Sequence, residues 1–515
     1  MSKWFNTAGP CRPDKNYMLP AIERLPPLDR LIAQESYFVV HAPRQTGKTT
    51  AMLALAQQLT AQGEYAAIMV SAEVGQPFSH NPDKAETYIL ESWRQAARAW
   101  LPPELQPPPW PQVEGSKIGA ALQAWCQACP KPLVIFIDEI DSLTDDALIS
   151  VLRQLRDGYP RRPENFPHSL ALIGMRDVRD YKITSGGRTR LQTASPFNIK
   201  VRSFTLPDFT QADVSQLYQQ HTDATGQLFT PEAIATAFEL TQGQPWLVNA
   251  LAKEIVEEII PDEQTTITPD HVHQAKEILI RRRETHLDSL SDRLEETRIR
   301  AVMEPLMAGQ ELDQIPIDDR DYLVDLGLLR RSSAGGVVVA NRIYQEVLPR
   351  MLASGPQDSL PQISPTWLKS DGELDVEKLL EAFLAFWRQH GQPLLKSAPY
   401  HEIAPHLVMM AFLHRVVNGG GTLEREYAIG TDRMDLCLRY GAVTLGIELK
   451  VWRQGRPDPL GAGLVQLDKY LAGLGLGFGW LVIFDQREEQ PPIAERVTTQ
   501  QVDSPSGRKI IVIYC

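Results

Sequence analysis

The sequence predicts a multidomain α/β protein: a parallel-sheet domain, a helical segment, a small helical module ending in a hairpin, and a second α/β domain. Three observations carry this. In the N-terminal part, short β-rich runs alternate with helical patterns, as stacked βα units do. A Ser/Pro/Gly-rich stretch, residues 354–372, divides that part from a second alternation of helices and strands. The length of 515 residues suits about three to five domains at roughly 100–200 residues each.

Taken in order, residues 37–40 (YFVV) form a short apolar run that ends in a Gly/Thr-containing turn, and residues 49–59 read as an Ala/Leu-rich helix. Residues 66–71, 133–137 and 170–174 are further β-rich runs. Residues 101–112 (LPPELQPPPWPQ) hold too many prolines for a helix and read as a surface excursion. A linker-like change follows at residues 206–208. Beyond it, residues 212–221, 231–241 and 245–260 look like successive helices, two of them with Pro near the start. Residues 270–300 are helical and charged. Two short helices and a Ser-Ala-Gly-Gly hairpin within 301–350 suggest a winged helix. After the linker, helices are expected over 376–390 and 401–417, then alternating strands. The expected boundaries are 1–207, 208–285, 286–353, the linker 354–372, and 373–515.

Composition sets limits on function. Apolar residues make up 43% and charged residues 23%, as in an ordinary globular protein. The formal charge of −12 excludes a protein held on nucleic acid mainly by bulk positive charge, yet permits a local basic groove. No run approaches the roughly 18 apolar residues of a membrane span, and the polar start MSKWFNTAGP has no signal-peptide core. Five Cys, an odd number, point to reduced thiols in a cytoplasm. A cytoplasmic protein with no membrane partner is therefore expected.

Residues 41–49 read HAPRQTGKT, between a strand and a helix, the context that a phosphate-binding loop requires. Backbone N–H groups across Ala42, Pro43, Arg44, Gln45, Thr46, Gly47 and on to Thr50 would cradle phosphates with the positive end of the helix. Proline contributes only its place in the turn. Lys48 would reach the β/γ-phosphates, and the Thr49 hydroxyl would ligate Mg²⁺. Ala42 replaces the usual first glycine. Residues 133–139 (LVIFIDE) supply five apolar residues of a buried parallel strand and two acids at its tip. Asp138 would join the Mg²⁺ shell, and Glu139 would polarise the attacking water. Arg176 follows another strand, where it either faces the γ-phosphate or pairs with Asp177 or Asp180.

With the Gly243-Gln244-Pro245 turn, these motifs resemble AAA+ and STAND-type P-loop ATPases over about residues 5–350. The resemblance implies ATP and Mg²⁺ as ligands, a sensor role for Arg176, Pro245 near the nucleotide base, and a helical lid over 208–285. No arginine finger is assigned, with Arg153, Arg156, Arg161 and Arg162 as candidates by proximity, and a homo-oligomer is compatible with the pattern.

After the linker, Asp435 lies on an alternating strand, a Gly-containing turn follows, and Glu448-Leu449-Lys450 lies on the next strand. Glu448 and Lys450, two apart, belong to one face of that strand, and the hairpin brings Asp435 beside them. Asp and Glu carboxylates so placed suit Mg²⁺, with Mn²⁺ as an alternative, and a lysine that positions or activates water. This set resembles the PD-(D/E)xK nuclease superfamily over about residues 376–515, with a restriction-endonuclease-like fold. The resemblance further implies Glu402 as a helical metal ligand and Gln466 as a polar residue near the nucleic acid backbone, DNA ahead of RNA.

Other signals weigh less. Cys126 and Cys129 form a lone C-x-x-C on a helix, better read as packing thiols than as a redox or zinc pair. Arg281 to Arg283, with Arg293, Arg298 and Arg300, either line a nucleic-acid path or, among interspersed acids, form a salt-bridged solvated helix, the favoured reading. The winged helix either binds DNA or connects domains. Residues 371–515 hold 15 Lys plus Arg against 18 Asp plus Glu, so the second domain is close to neutral. The expected function is thus an ATP-binding and ATP-hydrolysing protein controlling a metal-dependent nuclease, in an architecture some relatives of which act in anti-phage defence. The rival is a STAND-type signalling or scaffold ATPase whose C-terminal domain binds without cleaving.

Overall fold

The computed structural model describes residues 3–176, 199–282, 285–294, 296–307, 312, 315–332, 335–348, 365–397, 404–417, 421–427, 434–487 and 490–515. By internal contacts the chain forms two compact units: residues 1–281 with 321–330, and residues 282–320 with 331–515.

In the first unit, strands β1 (Tyr37–His41), β2 (Ala66–Ser71), β3 (Leu133–Asp138), β4 (Ser169–Gly174) and β5 (Lys200–Thr205) form one sheet, all pairs parallel, in the order β2-β3-β4-β1-β5. The residues of β3 and β4 are buried throughout, which is why they read as unbroken apolar runs. Helices cover both faces, giving two clusters of buried side chains. Tyr37, Ile68, Trp93, Trp125 and Leu170 lie in one, and Phe38, Met52, Leu55, Phe136 and Ile173 in the other. β1 is interior to the sheet, flanked by β4 and β5, so the loop that leaves its C-terminal end emerges between two neighbouring strands.

Three local features differ from expectation. β5 was not legible, because its sequence KVRSFT is polar and its residues are largely exposed at the sheet edge. The short parallel pair Trp4–Phe5 and Asn16–Tyr17 also forms without a sequence signal, only two residues long in each strand. The proline-rich excursion is anchored: Leu105 is buried, and the Trp110 indole N–H donates to the Leu90 carbonyl at 2.9 Å, its ring edge-on to Trp125. Buried Glu86 also has a structural explanation, since it accepts from the amides of Lys117 and Ile118 at the start of helix Lys117–Ala128 and from Gln154.

The helices after β5 are bounded by side-chain caps. Thr210 and Asp213 form a reciprocal capping box on Gln211–Thr225, worth about 1 kcal/mol. Thr230 caps Pro231–Thr241, and Gln244 caps Pro245–Glu254, each with proline at the first helical position. The charged region comprises helices Pro269–Arg282, Thr285–Leu294 and Thr297–Met307. Its arginines meet acids: Arg293 pairs with Glu296 at 2.8 Å and Arg298 with Asp319 at 2.6 Å. Helix Ile317–Asp325 and short strands at Leu329–Arg331 and Val337–Val339 follow.

The second unit is built on a mixed sheet. Strands β6 (Thr422–Tyr427), β7 (Met434–Tyr440), β8 (Val443–Trp452), β9 (Phe478–Asp485), β10 (Thr498–Asp503) and β11 (Lys509–Tyr514) take the order β6-β7-β8-β9-β11-β10. The pairs β8–β9 and β9–β11 are parallel and the others antiparallel. Helix Leu460–Leu474 makes the parallel crossover from β8 to β9, burying Leu467 and Leu471 against Leu481 and Ile483. Helix Ala404–Val417 is apolar nearly all round and almost wholly buried. Among the described residues no helix is long and apolar enough to cross a membrane.

Candidate functional site

The first site is built where β1 ends and helix Lys48–Gln62 begins. The loop between them turns through two left-handed residues, Gln45 and Gly47. Lys48 is buried, and its Nζ donates to the carbonyls of Ala42 and Pro43, each at 2.8 Å. Burial lowers the Lys48 pKa, against the pull of the neighbouring carboxylates Asp138, Glu139 and Asp141. Across the sheet, Asp138 ends β3 and is 4% exposed. The Thr49 hydroxyl donates to Asp138 Oδ2 at 2.8 Å, and the Glu139 amide donates to Oδ1 at 3.0 Å. Burial raises the pKa values of Asp138 and Glu139, so both carboxylates would gain from a cation placed beside them. Thr49 and Asp138 offer hard oxygen donors in contact, which fits Mg²⁺.

Glu139 is half-buried and held at φ 52°, a left-handed conformation that costs a non-glycine residue about 1–3 kcal/mol. Asp141 secures the turn to the neighbouring strand end, accepting from the Met175 amide at 2.9 Å.

A cavity of about 420 Å³ opens over this loop. Arg44, Gln45, Thr46, Gly47, Lys48, Thr49, Thr50 and Glu139 line it, together with Pro245. Ala42, Pro43, Asp138 and Arg176 are not among its lining residues. The Arg176 guanidinium lies over the Tyr322 ring at 4.9 Å, and its proposed partners Asp177 and Asp180 fall outside the described residues. Sequence reasoning missed the rest of the lining, which includes Thr7, Tyr17, Arg24, Phe209, Trp246 and Asn249. The Trp246 indole N–H donates to the Thr7 carbonyl at 2.8 Å, fastening the N-terminal segment to the helix that starts at Pro245. Only Trp246, directly after the Gly-x-Pro turn, could have signalled this part of the lining.

The second candidate lies in the mixed sheet. Cα register pairs Asp435 directly with Glu448 across β7 and β8. Glu448 and Lys450 are 0% and 3% exposed. Lys450 Nζ donates to Glu448 Oε1 and also to Gln466 Oε1, which helix Leu460–Leu474 supplies. Three of the expected residues are thus in direct contact, and Asp435 is at a facing register position. Glu402 lies outside the described residues. Among the described residues no group of three or more His, Cys, Asp or Glu is arranged to hold a metal ion. The donor chemistry of Glu448 still fits a hard divalent cation, with the Lys450 contact as competitor.

Cys126 and Cys129 are unbridged and pack against the first unit's core, and burial raises both pKa values. They are inert thiols by that criterion.

Residues 32–181 match the AAA domain family. No curated protein matches the chain. Among solved structures, the Walker-type ATPase PABY2304 of Pyrococcus abyssi is 11% identical, with 67% of this chain and 99% of that one covered and a TM-score of 0.48. The RuvB Holliday junction branch migration motor of Thermotoga maritima is 16% identical, covering 62% and 91%, with a TM-score of 0.34. The Orc1 protein of Aeropyrum pernix, solved with DNA, is 15% identical, covering 65% and 94%, with a TM-score of 0.35. The family match and the loop geometry coincide: residues 32–181, which match the AAA domain family, hold the loop between β1 and helix Lys48–Gln62 and the Thr49–Asp138 contact.

Proposed function

We propose that the chain binds and hydrolyses ATP in the first unit and thereby controls a metal-dependent phosphodiesterase in the second, whose substrate is nucleic acid. The contact between the Thr49 hydroxyl and Asp138, beside buried Lys48, carries the first half of this reading. In it, Lys48 holds the terminal phosphates, the loop amides orient them, and Glu139 accepts a proton from the attacking water. Thr49 and Asp138 would hold Mg²⁺, which when bound offsets the charge that develops on the transferring phosphoryl group.

For the second half, the support is the contact of Lys450 with Glu448 and Gln466 and the register of Asp435 opposite Glu448. Asp435 and Glu448 would hold the Mg²⁺ or Mn²⁺ that a phosphodiester cleavage uses, with Glu402 completing the set. Lys450 orients water toward the phosphorus, and Gln466 holds the backbone in register. A cytoplasmic role in defence against phage would suit such a nuclease.

The test is incubation of the full chain with a panel of DNA and RNA, with and without ATP and Mn²⁺, beside Glu448→Ala and Lys450→Ala. Metal-dependent cleavage lost in both variants, with ATP binding retained, supports the reading. Normal cleavage in the variants defeats it.

A second reading has one observation in its favour. Glu448 is fully buried and already in contact with a cation, as a purely structural ion pair would be. On that reading the second unit binds a partner without cleaving, and nucleotide-dependent oligomerisation replaces cleavage as the output.

A further inference from the structure

The cavity lining beside the phosphate loop contains one cation whose contacts join separate parts of the first unit. Arg24 ends the short helix Ala21–Arg24. One arm of its guanidinium, Nη2, donates to the Thr46 carbonyl of the phosphate loop at 2.6 Å. The other, Nη1, donates to the Pro207 carbonyl at 2.7 Å, just after β5. Its plane lies over the Phe209 ring, 4.8 Å from the centroid. Burial lowers its pKa to about 10, with Asp208 and Asp213 opposing, so it remains a cation at neutral pH.

Glycines stand close to both ends of this strut. A Cβ at Gly47, where φ is +94°, would sit 2.9 Å from Arg24 Nη2, so a side chain at residue 47 would push the guanidinium from its present position. The Phe209 amide donates to the Gly243 carbonyl at 2.9 Å, and a Cβ at Gly243 would come within 1.8 Å of the Phe209 carbonyl oxygen. Phe209 and the Gly243 turn are therefore locked face to face. That turn sets the start of helix Pro245–Glu254, whose Pro245, Trp246 and Asn249 line the cavity.

We propose that Arg24 is a positioning residue that couples nucleotide occupancy of the phosphate loop to the Gly243–Pro245 turn, through Thr46 on one side and Pro207 with Phe209 on the other. The proposal rests on the reading of this cavity as a nucleotide site. A planar, two-armed guanidinium suits this coupling, because it holds two carbonyls from different segments at once and stacks on an aromatic ring. A lysine ammonium does not reproduce that combination.

The experiment uses the full chain and a non-hydrolysable ATP analogue with Mg²⁺. Amide hydrogen exchange is followed over residues 44–50, 207–209 and 243–249 in the native protein, Arg24→Lys and Arg24→Ala. In the native protein the analogue slows exchange in all three segments. In Arg24→Lys, which keeps the charge and serves if the alanine variant fails to fold, protection persists at 44–50 and is lost at 207–209 and 243–249. Affinity for the analogue falls about tenfold, as expected for the loss of one to two charge-assisted hydrogen bonds. A lysine variant that binds the analogue and retains native protection at 243–249 overturns the coupling while leaving the nucleotide site intact. Absence of any analogue binding by the native protein overturns the nucleotide reading and the coupling with it.

Discussion

Each unit buries a lysine near a carboxylate, and the two do so in opposite ways. In the first, Lys48 bonds to carbonyls of its own loop, while Asp138, on a strand across the sheet, is held by the Thr49 hydroxyl. In the second, Glu448 and Lys450 come from one strand, two residues apart, and bond to each other. The first arrangement leaves a buried carboxylate hydrogen-bonded to neutral groups, with Lys48 nearby but bonded elsewhere, so a cation arriving there lowers its energy directly. The second has already neutralised its carboxylate, so a metal must compete with an ion pair. The acids of the first site are prepared for a ligand, and Glu448 of the second is held by Lys450 until a ligand displaces that contact.

The largest expected effect is on turnover at the first site. Glu139→Gln should slow ATP hydrolysis by about 10²–10⁴-fold, the range for loss of a general base, with ATP affinity little changed in equilibrium binding. A turnover number within a fewfold of the native value would remove Glu139 from the chemistry. In the second unit, Lys450→Ala leaves Glu448 buried without that cation and should cost about 3–5 kcal/mol in denaturant unfolding of that unit. The double change Glu448→Leu with Lys450→Met should recover most of it. If the single variant is as stable as the native chain, Glu448 reaches solvent or a cation some other way, and the contrast between the two sites weakens.

A smaller effect separates the units by pH. His286, in the second unit, is buried against Tyr344, and burial pushes its pKa down to about 4. The unfolded chain binds a proton there near pH 6.5 and the folded one does not, so stability is full above that value and falls as pH drops toward 4. The loss is about 3 kcal/mol for a shift of this size. Thermal melts across that window should show the transition of the second unit moving down, and His286→Gln should flatten the slope. Smallest of all, Thr210→Ser should keep the capping box of helix Gln211–Thr225, whereas Thr210→Ala should lower first-unit stability by about 1 kcal/mol in the same melts.

The central strands of the first sheet were legible because parallel strands buried on both faces leave continuous apolar runs, and the phosphate loop lies between a strand and a helix as its glycine and lysine require. The E-x-K strand was legible from its period of two, whereas the helix position of Gln466 was implied only by the nuclease resemblance. What escaped had no local signature. β5 is a polar edge strand, and the N-terminal strands are too short to show a period. Arg24 acts through carbonyl groups that any residue could present, 22 and 183 positions away in the chain. The position of Arg176 over Tyr322 likewise depends on a contact between segments far apart in sequence.

Trp246 gives the cavity an optical property. Its indole is 5% exposed, forms part of the wall and is fixed by its bond to Thr7. A nucleobase entering that space would meet an emitter that is already immobilised, so a change in tryptophan emission would report its arrival without any attached dye. A Trp246→Phe variant identifies that signal among the chain's ten tryptophans.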